Sequence, residues 1–308
     1  MFKKLEEYGF EPTIISPTRK GANIDFLHKN VKLYEVVNYT KELKEEDFDY
    51  LVVNSDQSWN NYNLDALSDH GYLRFAEFWN IPKFVYAASI GLDYWRYSKD
   101  FDKRARELIK NFSGLSVREI GAVNLVEQHL KIKPEFVLDP TFLINKKYYL
   151  DLIKDLNKNF DYTKRYIFVY ILDENKKKKK FIEKVKNSLN YTIFRVDVLK
   201  NKYYTENFIF GINISDAIIT DSFHGTVFSI IFNKPFISFL NSFRGALRFY
   251  SLNQTFKLKD RIIKEIEEPN INKLIEPLNI DKKILDIMMK KSIRYLEKNL
   301  GIRKKYKI

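Results

Sequence analysis

The sequence of 308 residues contains no cysteine, which excludes disulfide bridges and thiolate metal ligands and is typical of a reducing compartment. It also lacks any run of about 18 apolar residues, so no membrane-spanning helix is predicted. The opening segment MFKKLEEYGF carries charges where a signal peptide needs an apolar core. We therefore expect a cytoplasmic protein that makes at most peripheral contact with the inner face of a membrane.

The sequence signatures of several common binding sites are absent as well. No CxxC, HExxH, GxxxxGKS/T or GxGxxG pattern occurs, so the metal, P-loop and dinucleotide sites that carry these signatures are not predicted. Of the four histidines, His28, His70 and His129 have no metal-ligand spacing to one another. We predict that the protein binds no metal.

Positive charge is in excess, because 53 Lys and Arg residues against 40 Asp and Glu residues give a formal net charge of +13. A basic surface attracts the phosphates of nucleic acids, anionic lipids or phosphorylated small molecules. The densest run, Lys176 to Lys180, is interpreted as a solvated face. Nucleic-acid binding is not favoured, because the 20 Tyr and 25 Phe residues lie within apolar runs instead of between basic residues.

Apolar strand-like segments alternate with helical segments along the chain. FDYLVVNSD, KFVYAASIG and GLSVRE are read as strands, and DKRARELIKNFS and GAVNLVEQHL as helices. Continuous apolar strands between helices are typical of a parallel sheet that is covered on both faces. The alternation restarts near residues 145–160, with RYIFVYILD, DAIITD and KPFISFL among the later strands. This predicts an α/β fold with two halves, residues 1–150 and 151–280, and a C-terminal segment over 281–308.

Both ends of the chain are predicted to be helical. Residues 1–8 read as an amphipathic helix, and because an α/β half ordinarily begins with a strand, we expect the first half to lack its first strand. A longer amphipathic helix over 281–300 carries Ile284, Ile287 and Met288 on one side, and a basic tail follows it. We expect this helix to pack across the two halves.

Small polar clusters follow nearly every predicted strand, at the carboxyl ends where open parallel sheets bind their ligands. Turns and helix N-caps also recruit Ser, Asp and Gly, so each cluster has a purely structural alternative. The residues that we predict to bind substrate are Asp56, Gln57, Arg118, Ser222, Gly225, Arg244 and Arg248.

The segment ITDSFHGTVFSIIFNKPF, residues 219–236, holds the fourth histidine at a predicted strand–loop–helix turn. The first N–H groups of the following helix lack intrahelical partners and favour an anion, and Gly225 would permit its close approach. His224 could donate to that anion or act as acid or base near neutral pH. In the structural alternative, Ser222 is only an N-cap and His224 is only a packed loop residue.

Three further candidates also have two interpretations. Arg118 could grip a carboxylate or phosphate with two hydrogen bonds, or form a surface pair with Glu119. Asp139 precedes a proline at the junction of the halves, where it could serve the site or a rigid turn. Arg244 and Arg248 are four residues apart, so on a helix they would share one face and hold an anion or lie exposed.

Six segments, in this order, resemble the polysaccharide pyruvyl transferase family. They are NSDQSWN (54–60), KFVYAASIG (83–91), GLSVREIGAVNLV (114–126), FVLDPTFLI (136–144), DAIITDSFHGTVFSIIFNKPF (216–236) and FRGALRFYSL (243–252). The resemblance implies a GT-B-like architecture, in which two Rossmann-like halves face a cleft. It also implies that the protein transfers the enolpyruvyl carbons of phosphoenolpyruvate to a sugar as a ketal, with loss of phosphate, in surface polysaccharide biosynthesis.

The resemblance also implies roles for individual residues. Arg118 and His224 would contact phosphoenolpyruvate, which serves as donor substrate, so that no cofactor is expected. His224 would act as the acid or assist departure of the phosphate, and Glu119 or Asp139 would serve as the base. This chain carries Ser222 where several members with that activity carry Arg. The acceptor would be a saccharide, and the basic surface would suit a lipid-linked one that bears phosphate.

Two other functions remain open at this point. A glycosyltransferase of the same fold would use a nucleotide sugar and would need a carboxylate in the second half, such as Asp173 or Asp221, to hold the ribose. A truncated, non-catalytic relative would only bind a ligand or a partner, and the expected absence of the first strand favours it.

Overall fold

The computed structural model describes residues 1–17, 30–36, 42–60, 71–156, 160–196, 204–264 and 268–302. Its strands are β1 (Ile14–Pro17), β2 (Leu33–Val36), β3 (Leu51–Val53), β4 (Lys83–Val85), β5 (Ser116–Val117), β6 (Glu135–Phe136), β7 (Tyr166–Tyr170), β8 (Thr192–Phe194), β9 (Ala217–Thr220), β10 (Phe236–Phe239) and β11 (Ile262–Ile263). Its α-helices are α1 (Phe2–Glu7), α2 (Lys99–Ile109), α3 (Ile120–Leu130), α4 (Lys146–Leu152), α5 (Lys176–Leu189), α6 (Tyr204–Ile214), α7 (Phe223–Ile231), α8 (Leu247–Phe256) and α9 (Lys282–Asn299). Parallel strands that alternate with helices confirm the predicted α/β class.

The later strands form a five-stranded sheet in the order β11-β10-β9-β7-β8, with every pair parallel. Alternate residues of β7 face opposite sides of this sheet. Ile167 and Val169 belong to a core cluster with Ile182 of α5, whereas Phe168 belongs to a cluster with Val227 of α7. Because helices cover both faces, these strands are continuously apolar, as their sequence indicated.

The earlier strands pair as β1–β2, β3–β4 and β5–β6, again in parallel. Hydrogen bonds from Val85 N to Gly114 O, 2.9 Å, and from Ala88 N to Ser116 O, 2.9 Å, join the β3–β4 and β5–β6 pairs side by side. Among the described strands, no ladder connects these pairs to the five-stranded sheet. The domain boundaries and the GT-B-like arrangement stay predictions.

The C-terminal helix α9 contacts the cores beneath both groups of strands. Met288 packs against the cluster that contains Phe168, and Tyr295 belongs to the cluster that contains Phe84. The prediction that Ile287 lies on the packed side of this helix was wrong, because Ile287 is 63% exposed. The predicted basic tail beyond residue 302 lies outside the described residues. Within the described ranges, no helix has the length and apolar character that crossing a bilayer requires.

Candidate functional site

The polar clusters that follow the strands meet around one buried guanidinium, that of Arg118. Its Nη1 donates to Asp139 Oδ2 at 2.6 Å and to Ser55 Oγ at 3.2 Å. Its Nη2 lies 3.1 Å from Asp56 Oδ1. Arg118 follows β5, Ser55 and Asp56 follow β3, and Asp139 follows β6, so carboxyl ends of three neighbouring strands build this cluster. The surface pair between Arg118 and Glu119 that the sequence allowed is not formed, because both residues are buried.

Asp139 is held as a carboxylate by its neighbours. Burial alone would raise its pKa, but Arg118, His224 and the two hydrogen bonds from Thr141 hold the pKa well below the usual range. Thr141 donates to Oδ1 from its N–H at 3.1 Å and from its hydroxyl at 2.7 Å. Asp139 therefore stabilises the turn through Thr141 and also belongs to the charged cluster through Arg118. The two roles that its sequence context allowed do not exclude each other.

His224 reaches the same carboxylate from the other sheet. Its Nε2 lies 3.9 Å from Asp139 Oδ2, and 40% of its side chain is exposed. Desolvation by the surrounding protein lowers the pKa of His224. The charge of Asp139 opposes this effect, and the charge of Arg118 adds to it. The imidazole is consequently neutral near pH 7 and open on one side, which differs from a core histidine. Arg118 and His224 thus converge on one side chain although 106 positions separate them.

The first turn of α7 is tightly built around Ser222. The Ser222 hydroxyl accepts from Gly225 N at 3.3 Å, and its carbonyl accepts from Thr226 N at 3.0 Å. A Cβ on Gly225 would collide with the Thr220 hydroxyl, so packing against β9 is what requires glycine there. Ser222 is therefore an N-cap, as the structural alternative proposed. Within the described chain, the N–H groups of residues 223 and 224 find no acceptor, and they remain available to an anion.

Two guanidinium groups flank the ring of Phe223, a residue that the sequence analysis did not select. The Cζ atoms of Arg118 and Arg248 lie 4.5 Å and 5.2 Å from its centroid. Arg248 is buried and donates only to the carbonyls of Gly245, at 3.4 Å, and Arg244. Among the described residues, no carboxylate forms an ion pair with it. Burial, followed by repulsion from Arg118, lowers the pKa of Arg248 to about 10.

Arg244 departs from the position that its spacing predicted. Helix α8 begins at Leu247, so Arg244 lies in the preceding turn and does not share a helix face with Arg248. Its guanidinium grips Asp173, with Nε to Oδ2 at 2.6 Å and Nη2 to Oδ1 at 3.1 Å. Its carbonyl accepts from Gln57 Nε2 at 2.7 Å. Gln57 thus connects the loop after β3 to the turn before α8, and Arg244 is already occupied by a carboxylate.

Glu119 lies fully buried behind the cluster. Burial raises its pKa, while Arg118 and a short hydrogen bond from Ser89 oppose the shift. Its Oε2 has no hydrogen-bond partner in the described part of the chain. As a base for a substrate hydroxyl it is poorly placed, because none of its surface is open.

A second buried cluster lies at the ends of β7 and β9, and the role of Lys178 in it was missed from the sequence. Lys178 Nζ donates to Asp221 Oδ2 and to the Asp173 carbonyl, each at 2.8 Å. Asp221 also accepts from the N–H groups of Leu172 and Asp173, at 2.6 Å and 3.1 Å. The lysine run is therefore not entirely solvated. Lys178 is three, four and seven residues before Phe181, Ile182 and Val185, and this helical spacing on the apolar face was the available signal.

The open space near these groups is small. A void of about 10 Å³ lies against Arg118, Asp139 and Phe223, whereas a cavity of about 760 Å³ lies elsewhere, beside Tyr250 and Lys259. The larger cavity touches none of the clustered charged groups. We therefore locate the candidate site by its charged side chains and not by the size of the cavity. In the described ranges, no group of three or more His, Asp or Glu residues could hold a metal ion. His28 and His70 lie outside those ranges.

Comparison with known proteins supports the resemblance for the first five of the six segments, which lie within the matched residues. No curated protein matches the chain significantly. The family model described as "Polysaccharide pyruvyl transferase" matches residues 1–242, which include every group of the Arg118–Asp139–His224 cluster. The chain therefore belongs to the polysaccharide pyruvyl transferase family.

Proposed function

We propose that the protein transfers a pyruvyl group from phosphoenolpyruvate to two hydroxyls of a saccharide, as a ketal, in surface polysaccharide biosynthesis. The observation that carries this proposal is the buried guanidinium of Arg248, which has no carboxylate partner in the described chain. The free N–H groups at the start of α7 and the ring of His224 lie on the same cluster. A small dianionic or trianionic donor would satisfy all of these groups together.

In this scheme the two arginines have different tasks. Arg248 and the N–H groups of residues 223 and 224 hold the anionic ends of phosphoenolpyruvate. Both terminal nitrogens of Arg118 are already paired with Asp139 and Asp56, so it orients the carboxylates and adds positive potential without needing to release a partner. No step in the scheme needs a cofactor.

His224 supplies the proton. Its pKa is lowered in the ligand-free protein, and the negative charge of the bound donor would raise that pKa, so that the imidazole takes up a proton on binding. Transfer of this proton to C3 of the enol forms a methyl group and leaves a cationic C2. The first sugar hydroxyl attacks C2 and returns its proton to His224.

The second half of the reaction completes the balance of atoms. Phosphate leaves C2, and the second hydroxyl attacks the same carbon and gives up its proton to the departing phosphate. Phosphoenolpyruvate and a diol thus become a pyruvyl ketal and hydrogen phosphate. We propose that Asp139 stabilises the protonated form of His224 across the 3.9 Å between them and that Glu119 stays behind the site.

The proposed acceptor is a saccharide on a lipid carrier, met at the inner face of the membrane. The formal net charge of +13 supports an acceptor that carries phosphate. A nucleotide-sugar donor is less well supported, because Asp221 is saturated by protein donors and Asp173 is bound by Arg244.

Calorimetric titration of phosphoenolpyruvate into the wild-type protein and into His224→Ala tests the proposal. We expect binding to the wild type and a loss of about 1.5–3 kcal/mol in the variant, since a contact to a charged group is removed. Thermal shifts with phosphoenolpyruvate, UDP and GDP are measured in parallel. Stabilisation by UDP or GDP without stabilisation by phosphoenolpyruvate would instead indicate a glycosyltransferase.

A further inference from the structure

Two aromatic side chains on different loops of the protein are largely open to solvent. Phe243 is 80% exposed and Tyr94 is 58% exposed. Isolated exposed aromatic residues are common on protein surfaces and need no explanation by themselves. Their position in the fold is what makes these two informative.

Both residues lie on loops that leave carboxyl ends of parallel strands. Tyr94 is in the loop that follows β4, and Phe243 is in the turn between β10 and α8. The two loops touch each other: Leu247 N donates to Gly91 O at 3.3 Å, and a Cβ on Gly245 would lie 2.7 Å from that oxygen. Only glycine fits at position 245, which also has a φ of +108°. Tyr94 and Phe243 therefore lie three and two positions from Gly91 and Gly245, the glycines at which the two loops meet.

The same turn connects directly to the charged cluster. Phe243 precedes Arg244, whose side chain is fixed by Asp173 and whose carbonyl accepts from Gln57 and Arg248. The ring of Phe243 is thus attached to the backbone that anchors the unpaired guanidinium. Phe243 is therefore adjacent in the chain to the residue whose carbonyl anchors Arg248, to which we assign the donor.

The chemistry of this edge fits a sugar ring. A pyranose has a face of C–H bonds that packs against an aromatic ring and a rim of hydroxyls that needs polar partners. The Asp56 side chain, 72% exposed, follows β3 beside Gln57 and supplies such a partner. Formation of the proposed ketal requires two hydroxyls of one sugar to reach the donor. A surface that orients the sugar ring is therefore needed beside the donor.

We infer that Tyr94 and Phe243 form an aromatic rim that stacks on the pyranose ring of the saccharide acceptor. This inference rests on the proposed function for the identity of its ligand. We assign the aromatic rim to the acceptor alone, because neither aromatic residue belongs to the groups that we assign to the donor.

The test compares alanine variants of the aromatic rim with two matched controls. Phe78, 87% exposed, lies between Ala76 and Trp79, whose carbonyls hold Lys83 at the start of β4. Tyr162, 60% exposed, lies shortly before the start of β7. Both controls are therefore exposed aromatic residues at the amino ends of strands, on the edge away from the site.

The probes are methyl β-D-galactopyranoside, methyl α-D-mannopyranoside and methyl β-D-glucopyranoside, observed by saturation-transfer NMR with the full chain. We expect at least one pyranoside to bind the wild type, and Tyr94→Ala and Phe243→Ala to weaken it by about tenfold each, as loss of a stacking ring does for planar ligands. Phe78→Ala and Tyr162→Ala should bind like the wild type. Phosphoenolpyruvate affinity, measured by calorimetry, should be the same in all five proteins.

Three results would overturn the inference: no pyranoside binds the wild type, the rim variants bind as well as the wild type, or the controls lose as much as the rim variants. A wild type that fails to bind phosphoenolpyruvate refutes the proposed donor instead. That failure is separate, because pyranoside binding is measured without the donor.

Discussion

The two arginines that flank Phe223 should respond in opposite ways to the same substitution. Arg118 has Asp139 and Asp56 as partners, and these carboxylates outweigh burial and raise its pKa. Arg248 is equally buried, has no ion pair among the described residues, and has a lowered pKa. Replacing each with methionine removes a charge of the same kind while keeping a long apolar side chain.

The expected magnitudes follow from these environments. The lowering of the Arg248 pKa to about 10 corresponds to a cost of ~3 kcal/mol for keeping the charge buried at neutral pH. Its hydrogen bonds to two carbonyls offset about 1–2 kcal/mol of this cost. Arg248→Met should therefore raise the free energy of unfolding by about 1–2 kcal/mol. Arg118→Met should lower it by about 3–5 kcal/mol, because it leaves the carboxylate of Asp139 buried without a cation.

The measurement is urea unfolding of the three proteins, followed by tryptophan fluorescence, in a buffer without phosphate or other oxyanions. Phosphoenolpyruvate affinity is measured beside it by calorimetry. We expect Arg248→Met to bind about 10–150-fold more weakly than the wild type, which corresponds to the loss of one charge-assisted contact. The variant would thus be more stable and less able to bind the donor.

Destabilisation of Arg248→Met as strong as that of Arg118→Met would contradict this expectation. That result would mean that Arg248 has a stabilising anionic partner within the protein. Unchanged phosphoenolpyruvate affinity in Arg248→Met would separately remove this residue from the donor site.

Three more predictions concern neighbouring groups. Lys178→Met should lower the free energy of unfolding by about 3–5 kcal/mol, whereas the exposed Lys180→Met should change it by no more than about 0.5 kcal/mol, both measured by urea unfolding. Because folding lowers the His224 pKa, the contribution of His224 to the free energy of unfolding should be fully present above its ordinary pKa of about 6.5 and should fall as the pH drops below that value. Equal pH dependences of the free energy of unfolding in the wild type and in His224→Gln would contradict this. Asp173 holds Arg244, whose carbonyl anchors Arg248, so Asp173→Asn should raise the KM for phosphoenolpyruvate with little change in stability; an unchanged KM in a phosphate-release assay would show that Asp173 does not position Arg248.

The α/β class with parallel strands was predictable from the sequence because it depends on short-range patterns. The continuous apolar runs of β7, β9 and β10 indicated buried parallel strands, and the polar residues after them indicated where side chains would collect. This rule of strand ends selected Arg118 and His224 without any knowledge of their distance. It could not reveal that Asp139 lies between them, since that contact joins separate sheets.

The errors arose where a tertiary contact decides the role of a residue. Lys178 belongs to a run of five lysines, yet its side chain is buried in an ion pair with Asp221 at the end of β9. Arg244 is four residues before Arg248, but Asp173 and Gln57 hold it in a turn, so the helical spacing did not apply. Gly225 was selected for ligand approach, and its sequence context did not show that contact with β9 also requires glycine. In each case, the partner is distant in sequence.

The balance of charge within the cluster explains why an anionic ligand is expected at one particular place. Asp139 and Asp56 neutralise Arg118, and Asp173 neutralises Arg244, so each of these cations already has a protein partner. Arg248 alone among the cluster's arginines is buried without such a partner in the described chain, and its Cζ lies 5.2 Å from the ring centroid of Phe223, the first residue of α7. A buried cation without a counterion lowers the stability of the ligand-free fold, and an anion that binds there removes that cost and gains charge-assisted hydrogen bonds. The net charge of +13 therefore matters less for donor recognition than this single unpaired guanidinium, because exposed charges are screened and a buried one is not.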